Sequence, residues 1–178
     1  MKRLCMIVAL AAITVLLLGN SSTKAKSDNE PTISAHMVGL SEVPPTASKG
    51  VADFNATISS DASTITYTLQ WSGLTTLPLF SHIHFGPTKV NGGVMVYLCG
   101  GGGKPACTQA TSGTASGTIT AADIVGPAAQ GIPAAPNGDF ADVIRAIRTR
   151  NAYANLHTTM FPGGEVRGTV KAPRGHGE

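Results

Sequence analysis

Along residues 64–71 of this chain, apolar and polar side chains alternate with a period of two. Ile65, Tyr67, Leu69 and Trp71 fall on one side, and Thr64, Thr66, Thr68 and Gln70 on the other. Only an extended strand turns such a pattern into one dry and one wet face. Residues 51–58 alternate in the same way and read as the hairpin partner, joined through the turn-forming Ser59-Ser60-Asp61-Ala62-Ser63. No helical period of any length precedes residue 120. Further strands are predicted at 33–40, 81–85, 94–98, 113–119, 152–157 and 165–170. Eight short strands imply an all-β fold, a Greek-key β-sandwich or barrel. The 21 glycines, 11 prolines and 13% charged residues suit short strands and many turns. One or two short helices interrupt. Thr120 can cap a brief one. Asp139 can cap a longer one ending at Arg148, in which Phe140, Val143, Ile144 and Ile147 share a face. Residues 126–138 between them, rich in Pro, Gly and Ala, form a loop.

The first 25 residues read as a secretory signal peptide. Met1-Lys2-Arg3 is a basic start, Leu4 to Leu18 is apolar apart from Thr14, and cleavage is expected after Ala25. The apolar run is shorter than the ~20 residues of a membrane-spanning helix, although an uncleaved anchor is the alternative. Cys5 lies too early to be a lipid-modified cysteine. Residues 26–172 then form one domain, and 173–178 a disordered tail. The chain is formally +3, but Lys2, Arg3 and Lys24 leave with the signal. A nearly neutral mature protein gives no electrostatic reason to bind nucleic acid, or to insert in a membrane once the signal is gone. A secreted or periplasmic location also suits the two remaining cysteines. Cys99 and Cys107 flank the flexible Gly100-Gly101-Gly102-Gly103 run and are expected to form a disulfide.

The chemistry concentrates in Ser81-His82-Ile83-His84-Phe85-Gly86. In a strand His82 and His84 point the same way, about 6–7 Å apart, while Ile83 and Phe85 anchor the other face. A third histidine stands in Tyr153-Ala154-Asn155-Leu156-His157-Thr158, where Ala154 and Leu156 can pack inward and Asn155 and His157 face the opposite side. Three neutral imidazoles can hold a copper or zinc ion and leave a position open. The competing reading is a half-exposed polar strand face with no ion. Glu165 and Arg167 follow Pro162-Gly163-Gly164 and share a face with Thr169. They serve either as outer partners of the histidine site, as a guide for an anion, or as an ion pair holding the last strand. His36 and His176 read as solvated. Other enzyme templates fail. No serine sits on a Gly-x-Ser-x-Gly elbow, Lys104 after the glycine run is followed by no Ser or Thr, and no carboxylate pair stands out.

Leu40-Ser41-Glu42-Val43-Pro44-Pro45, Ser81 to Gly86, Tyr153 to Thr158, and Phe161-Pro162-Gly163-Gly164-Glu165-Val166-Arg167-Gly168 occur in this order across nearly all of the mature chain. In them the chain resembles the CHRD domain, first described in chordin and also found as a stand-alone secreted domain in microbes. Chordin acts by binding growth factors. This chain lacks the accompanying cysteine-rich modules, so that role does not carry over. A second resemblance, carried by Gly73-Leu74-Thr75 and Ser81 to Gly86, is to the first copper-binding strand of copper-zinc superoxide dismutases. It implies copper ligands at His82, His84 and His157 and an anion-steering Arg167. That family's bridging histidine and zinc cluster have no counterparts between Gly86 and Gly113.

Three functions follow. The first is a metal-binding domain, copper before zinc, for storage, delivery or tolerance. The second is a copper-only dismutase-like oxidoreductase. The third is an extracellular or envelope interaction module in which the histidines only shape a surface and a protein partner is bound.

Overall fold

Alternation of the predicted kind becomes eight antiparallel strands in the computed structural model, which describes residues 31–172. The expected export signal and the tail, with Cys5 and His176, lie outside the described residues. The strands are β1 (Thr32–Val38), β2 (Val51–Ile58), β3 (Ile65–Ser72), β4 (Pro78–Phe85), β5 (Gly93–Cys99), β6 (Gly113–Ile119), β7 (Ala152–Thr158) and β8 (Val166–Thr169). They form one sheet in the order β5-β4-β7-β8-β1-β2-β3-β6. The sheet curls until its two edges approach, giving a nearly closed barrel. Tyr67 on β3, beside the β6 edge, donates from its hydroxyl to the Leu98 carbonyl on the opposite edge strand β5 at 2.5 Å. The crossings from β3 to β4 and from β6 to β7 make the topology Greek-key rather than up-and-down.

The β2–β3 register pairs Phe54 with Leu69 and Ala56 with Tyr67, so both alternating faces align. Ile33, Met37, Phe54, Ile65, Leu69, Ile83, Leu156 and Val166 are all almost completely buried in a single apolar core. Each such side chain contributes about 1.5–3 kcal/mol through burial. The outward residues of β2 and β3 are exposed or partly so. Strand β7 behaves differently, because all seven of its residues are buried. One face meets the core. The other is covered by loops, and that cover creates the candidate site.

The helix α1 (Phe140–Arg148) matches its expectation closely. Asp139 caps it, accepting from the Ala141 amide at 2.9 Å, and Phe140, Val143, Ile144, Ala146 and Ile147 are buried. The short element after Thr120 is a 3-10 turn, Ala121–Asp123, closed by Thr120 N donating to Asp123 Oδ2 at 2.8 Å. Two further 3-10 turns, Gly39–Ser41 and Ala128–Gln130, were not expected. The first ends β1 at Val38, two residues earlier than the alternation suggested. Strand β4 starts three residues earlier than predicted, at Pro78, where a proline can open a strand without needing its missing N–H.

Cys99 and Cys107 are joined by a disulfide. Of the enclosed glycines, Gly101 and Gly102 lie against the Tyr97 ring and Gly100 against the backbone of Leu79 and Phe80. A Cβ at Gly100, where φ is +76°, would come 2.9 Å from Phe80 Cα, and one at Gly102 would come 2.7 Å from Tyr97 Cδ2. Gly100 and Gly102 are therefore required by close packing as well as by their positive φ, whereas Gly103 has open space around it.

Two outcomes test this fold. Asp139→Ala should cost about 1 kcal/mol through loss of the cap, read as a lower urea midpoint at unchanged m-value. Cys99→Ala together with Cys107→Ala should cost roughly 2–3 kcal/mol, the loop-closure value for so short a loop, in the same titration.

Candidate metal centre

Strands β4 and β7 pair so that Phe80 faces His157, His82 faces Asn155, and His84 faces Tyr153. On the flanking strands Tyr97 of β5 pairs with His82, and Arg167 of β8 pairs with Asn155. Alternation puts Phe80, His82 and His84 on one face of β4 and Tyr153, Asn155 and His157 on the same face of β7. Ile83, Ala154 and Leu156 point the other way, into the apolar core. This divides the pair of strands as the sequence predicted.

The three histidines meet. The His82 ring lies 4.4 Å from that of His84 and 4.6 Å from that of His157, centroid to centroid. Each offers one nitrogen, and the three nitrogens all lie within 4.8 Å of one another. Nitrogens bound tetrahedrally to one ion at ~2.0–2.1 Å stand ~3.3–3.4 Å apart, so small ring rotations would complete a ligand set. All three are buried, at 4% exposure for His82, 9% for His84 and 6% for His157. The half-exposed polar face considered from sequence alone is not what forms.

Hydrogen bonding sets the tautomers. The Gly92 carbonyl can only accept, so His84 Nδ1 donates to it at 2.8 Å and the lone pair falls on Nε2. His157 Nδ1 donates likewise to the Pro162 carbonyl at 2.9 Å. Its Nε2 is then buried with no hydrogen-bond partner, and so is His82 Nδ1. Buried polar atoms without partners are costly and uncommon. Two of them in one histidine cluster match the donor set of a metal ion.

The electrostatics keep these rings neutral. Burial, then the neighbouring His84 and His157, push His82 down to about 2. Burial is also the main cause of the fall of His157 to about 4 and of the lowered value of His84, with the Arg167 charge adding to both. Neutral imidazole is the form that binds metals.

An aromatic and ionic surround encloses the cluster. Phe80 lies 5.4 Å from the His82 ring and 4.6 Å from that of His157, and Tyr97 meets His82 edge-on at 5.1 Å. Tyr153 stacks flat on His84 at 4.6 Å and 6°, and the Arg167 guanidinium lies 4.2 Å from the Tyr153 centroid. Arg167 is 2% exposed. Its Nε is 2.9 Å from Glu42 Oε2, and its remaining nitrogens donate to the Thr88 and Val90 carbonyls and to Asn91 Oδ1. Burial pushes the Glu42 carboxyl up against the opposing pull of Arg167. Glu165 is fully buried and accepts from Ser48 Oγ, the Thr75 amide and Thr158 Oγ1. The ion pair considered between Glu165 and Arg167 is therefore replaced: each holds the last strand through other partners. A cavity of about 710 Å³ lies beside this layer, lined by Glu42, Pro44, Asn91, Phe161 and Gly164 among others, and none of the three histidines lines it.

Sequence patterning placed Asn155 on the His157 side of its strand but did not mark Glu42, Tyr153, Phe80 or Tyr97 as parts of the site. Tyr153 and Asn155 share strand parity with His157, and Phe80 with His82, so the period of two carried that signal. The Asn155 amide oxygen stands 3.2 Å from His84 Nε2. The solvated reading of His36 agrees with its exposed contact to Asp53, at 2.7 Å.

Neither a comparison with characterised proteins nor one with solved structures returned a match. The family model of the CHRD domain matches residues 33–170, which includes every strand but the first residue of β1 and all three histidines. The chain belongs to the CHRD domain family.

Proposed function

We propose that this protein is an exported domain that binds a metal ion, copper before zinc, through His82, His84 and His157. The observation that carries the reading is the convergence of the three imidazoles with two of their nitrogens buried and unpartnered. An all-imidazole donor set suits copper and zinc and is poor for magnesium or calcium. Export is supported by the basic and apolar pattern of residues 1–25 and by a disulfide, which persists in oxidising compartments. Among the described residues no helix is long and apolar enough to cross a membrane. Glu165 and Arg167 serve as outer supports. Arg167 orients Tyr153 against His84, and Glu165 ties down Ser48, Thr75 and Thr158 around the site.

The role that fits an enclosed centre is storage, delivery or tolerance. The dismutase-like alternative requires an anion to reach the ion. The guanidinium that would steer it is enclosed and committed to Glu42, Asn91 and two carbonyls. A superoxide assay on copper-loaded protein at background rate removes that alternative. The interaction-module alternative requires no affinity for metal.

His82→Ala with His84→Ala should abolish binding of one ion per chain, and His157→Ala should weaken it at least about tenfold, measured by metal analysis and calorimetric titration. Unchanged metal content in the double variant would sink the reading.

The metal-free protein should also be acid-sensitive. The unfolded histidines titrate near 6.5, whereas folded His157 and His82 stay neutral down to about 4 and about 2. Between these limits the unfolded chain binds more protons. Stability present above pH 6.5 is then lost as pH falls, by up to ~1.4 kcal/mol per pH unit for each histidine. Urea midpoints between pH 7 and pH 4.5 check this, and the slope should flatten in His157→Ala.

A further inference from the structure

The donor set, the charges around it and its walls together restrict the oxidation state of the ion, an inference that rests on the metal-binding reading above. The three ligand candidates are neutral imidazoles, and the cluster holds no acidic group or thiol. Of the nearby carboxylates, Glu165 accepts from three donors at 2.6–2.7 Å, while Glu42 faces Arg167 through Oε2 at 2.9 Å and keeps a buried, unpartnered Oε1. Both described cysteines are spent in the disulfide. An ion here keeps its whole charge in a buried position, near a guanidinium that is itself only 2% exposed.

Desolvation cost grows with the square of the charge, so a dication costs roughly four times a monocation of the same size. A divalent ion on three histidines ordinarily lowers its charge by binding hydroxide at an open fourth position. Rings of Phe80, Tyr97 and Tyr153 stand within 4.6–5.4 Å of the histidine rings, and the large neighbouring cavity does not reach the histidines. A monocation tolerates three neutral donors without a charged fourth one. We infer that this centre selects a soft monovalent ion and holds copper as Cu(I) in preference to Cu(II) or Zn(II). In an oxidising compartment the protein then shields reduced copper.

The test uses metal-free protein with four separate probes: Ag(I) as a redox-inert monocation, Cu(I) kept reduced by ascorbate, Cu(II), and Zn(II). Affinities come from competition with chelators, and occupancy from the imidazole 15N signals of the unmutated chain. One Ag(I) or Cu(I) per chain should bind at least about 100-fold more tightly than Zn(II) or Cu(II), shifting signals of His82, His84 and His157 together. If Zn(II) or Cu(II) moves the same three signals with equal or greater affinity, the monovalent inference is overturned and the metal site stands. If no ion moves them, both are overturned. Reading the unmutated protein keeps the answer independent of whether histidine variants fold.

Discussion

Strands β4 and β7 are covered on both faces, and the architecture of the site depends on that double burial. On one face Ile83, Ala154 and Leu156 extend the apolar core. On the other, His82, His84, Asn155 and His157 form a polar layer that is nearly as dry. A sheet face is ordinarily left wet or packed with hydrocarbon. Here it is filled by imidazoles and an amide, and the cost of drying them must be met by hydrogen bonds or by a bound ion. Two of the imidazoles meet part of it by donating from Nδ1 to the carbonyls of Gly92 and Pro162. Those carbonyls belong to loops, so the tautomers of the site are set by the segments that cover it.

The cover is fixed from β8. Arg167 reaches Thr88, Val90 and Asn91 in the loop between β4 and β5, and pairs with Glu42 after β1. Glu165 accepts from Ser48, Thr75 and Thr158 and so binds segments from three parts of the chain. Such buried charges contribute little net stability against apolar replacements, but breaking one member strands its partner. Their use here is positional: they hold two loops and the Tyr153 ring at fixed distances from the histidines. Glycine supports this packing. At Gly164, with φ +127°, a Cβ would lie 2.5 Å from Glu42 Oε1, and a Cβ at Gly92 would drive into the Phe85 carbonyl.

The stapled glycine loop completes the enclosure from the other side. Gly100 and Gly102 lie against Phe80 and Tyr97, and the rings of these residues in turn lie against His82 and His157. The disulfide limits the freedom of a segment that would otherwise be among the most flexible in the chain. Core, histidines, aromatic rings and glycine loop thus form successive layers, each depending on close approach to the next.

Much of this was legible in the residues. The period of two in residues 51–58 and 64–71 located a hairpin, because a strand shows its burial pattern locally. The same parity sent His82 and His84 to one face and Ile83 to the other. Asp139 announced the start of α1, since capping is a local hydrogen bond. The turn Gly39–Ser41 was not legible, nor was the early start of β4: the Gly39 carbonyl accepts from the Glu42 and Thr46 amides, and Pro78 pairs with Thr158 on a distant strand.

The chain by itself determined where eight strands run to within a few residues, which side of β3, β4 and β7 is apolar, and which three histidines stand on the polar sides. Only the tertiary structure decided that these polar sides are buried, that Arg167 pairs with Glu42 rather than Glu165, and that His157 meets His82. The physical reason is range. Strand periodicity is written into neighbouring residues, whereas the cover over a sheet face and the pairing of β4 with β7 join segments about 70 residues apart, and no local pattern records their approach.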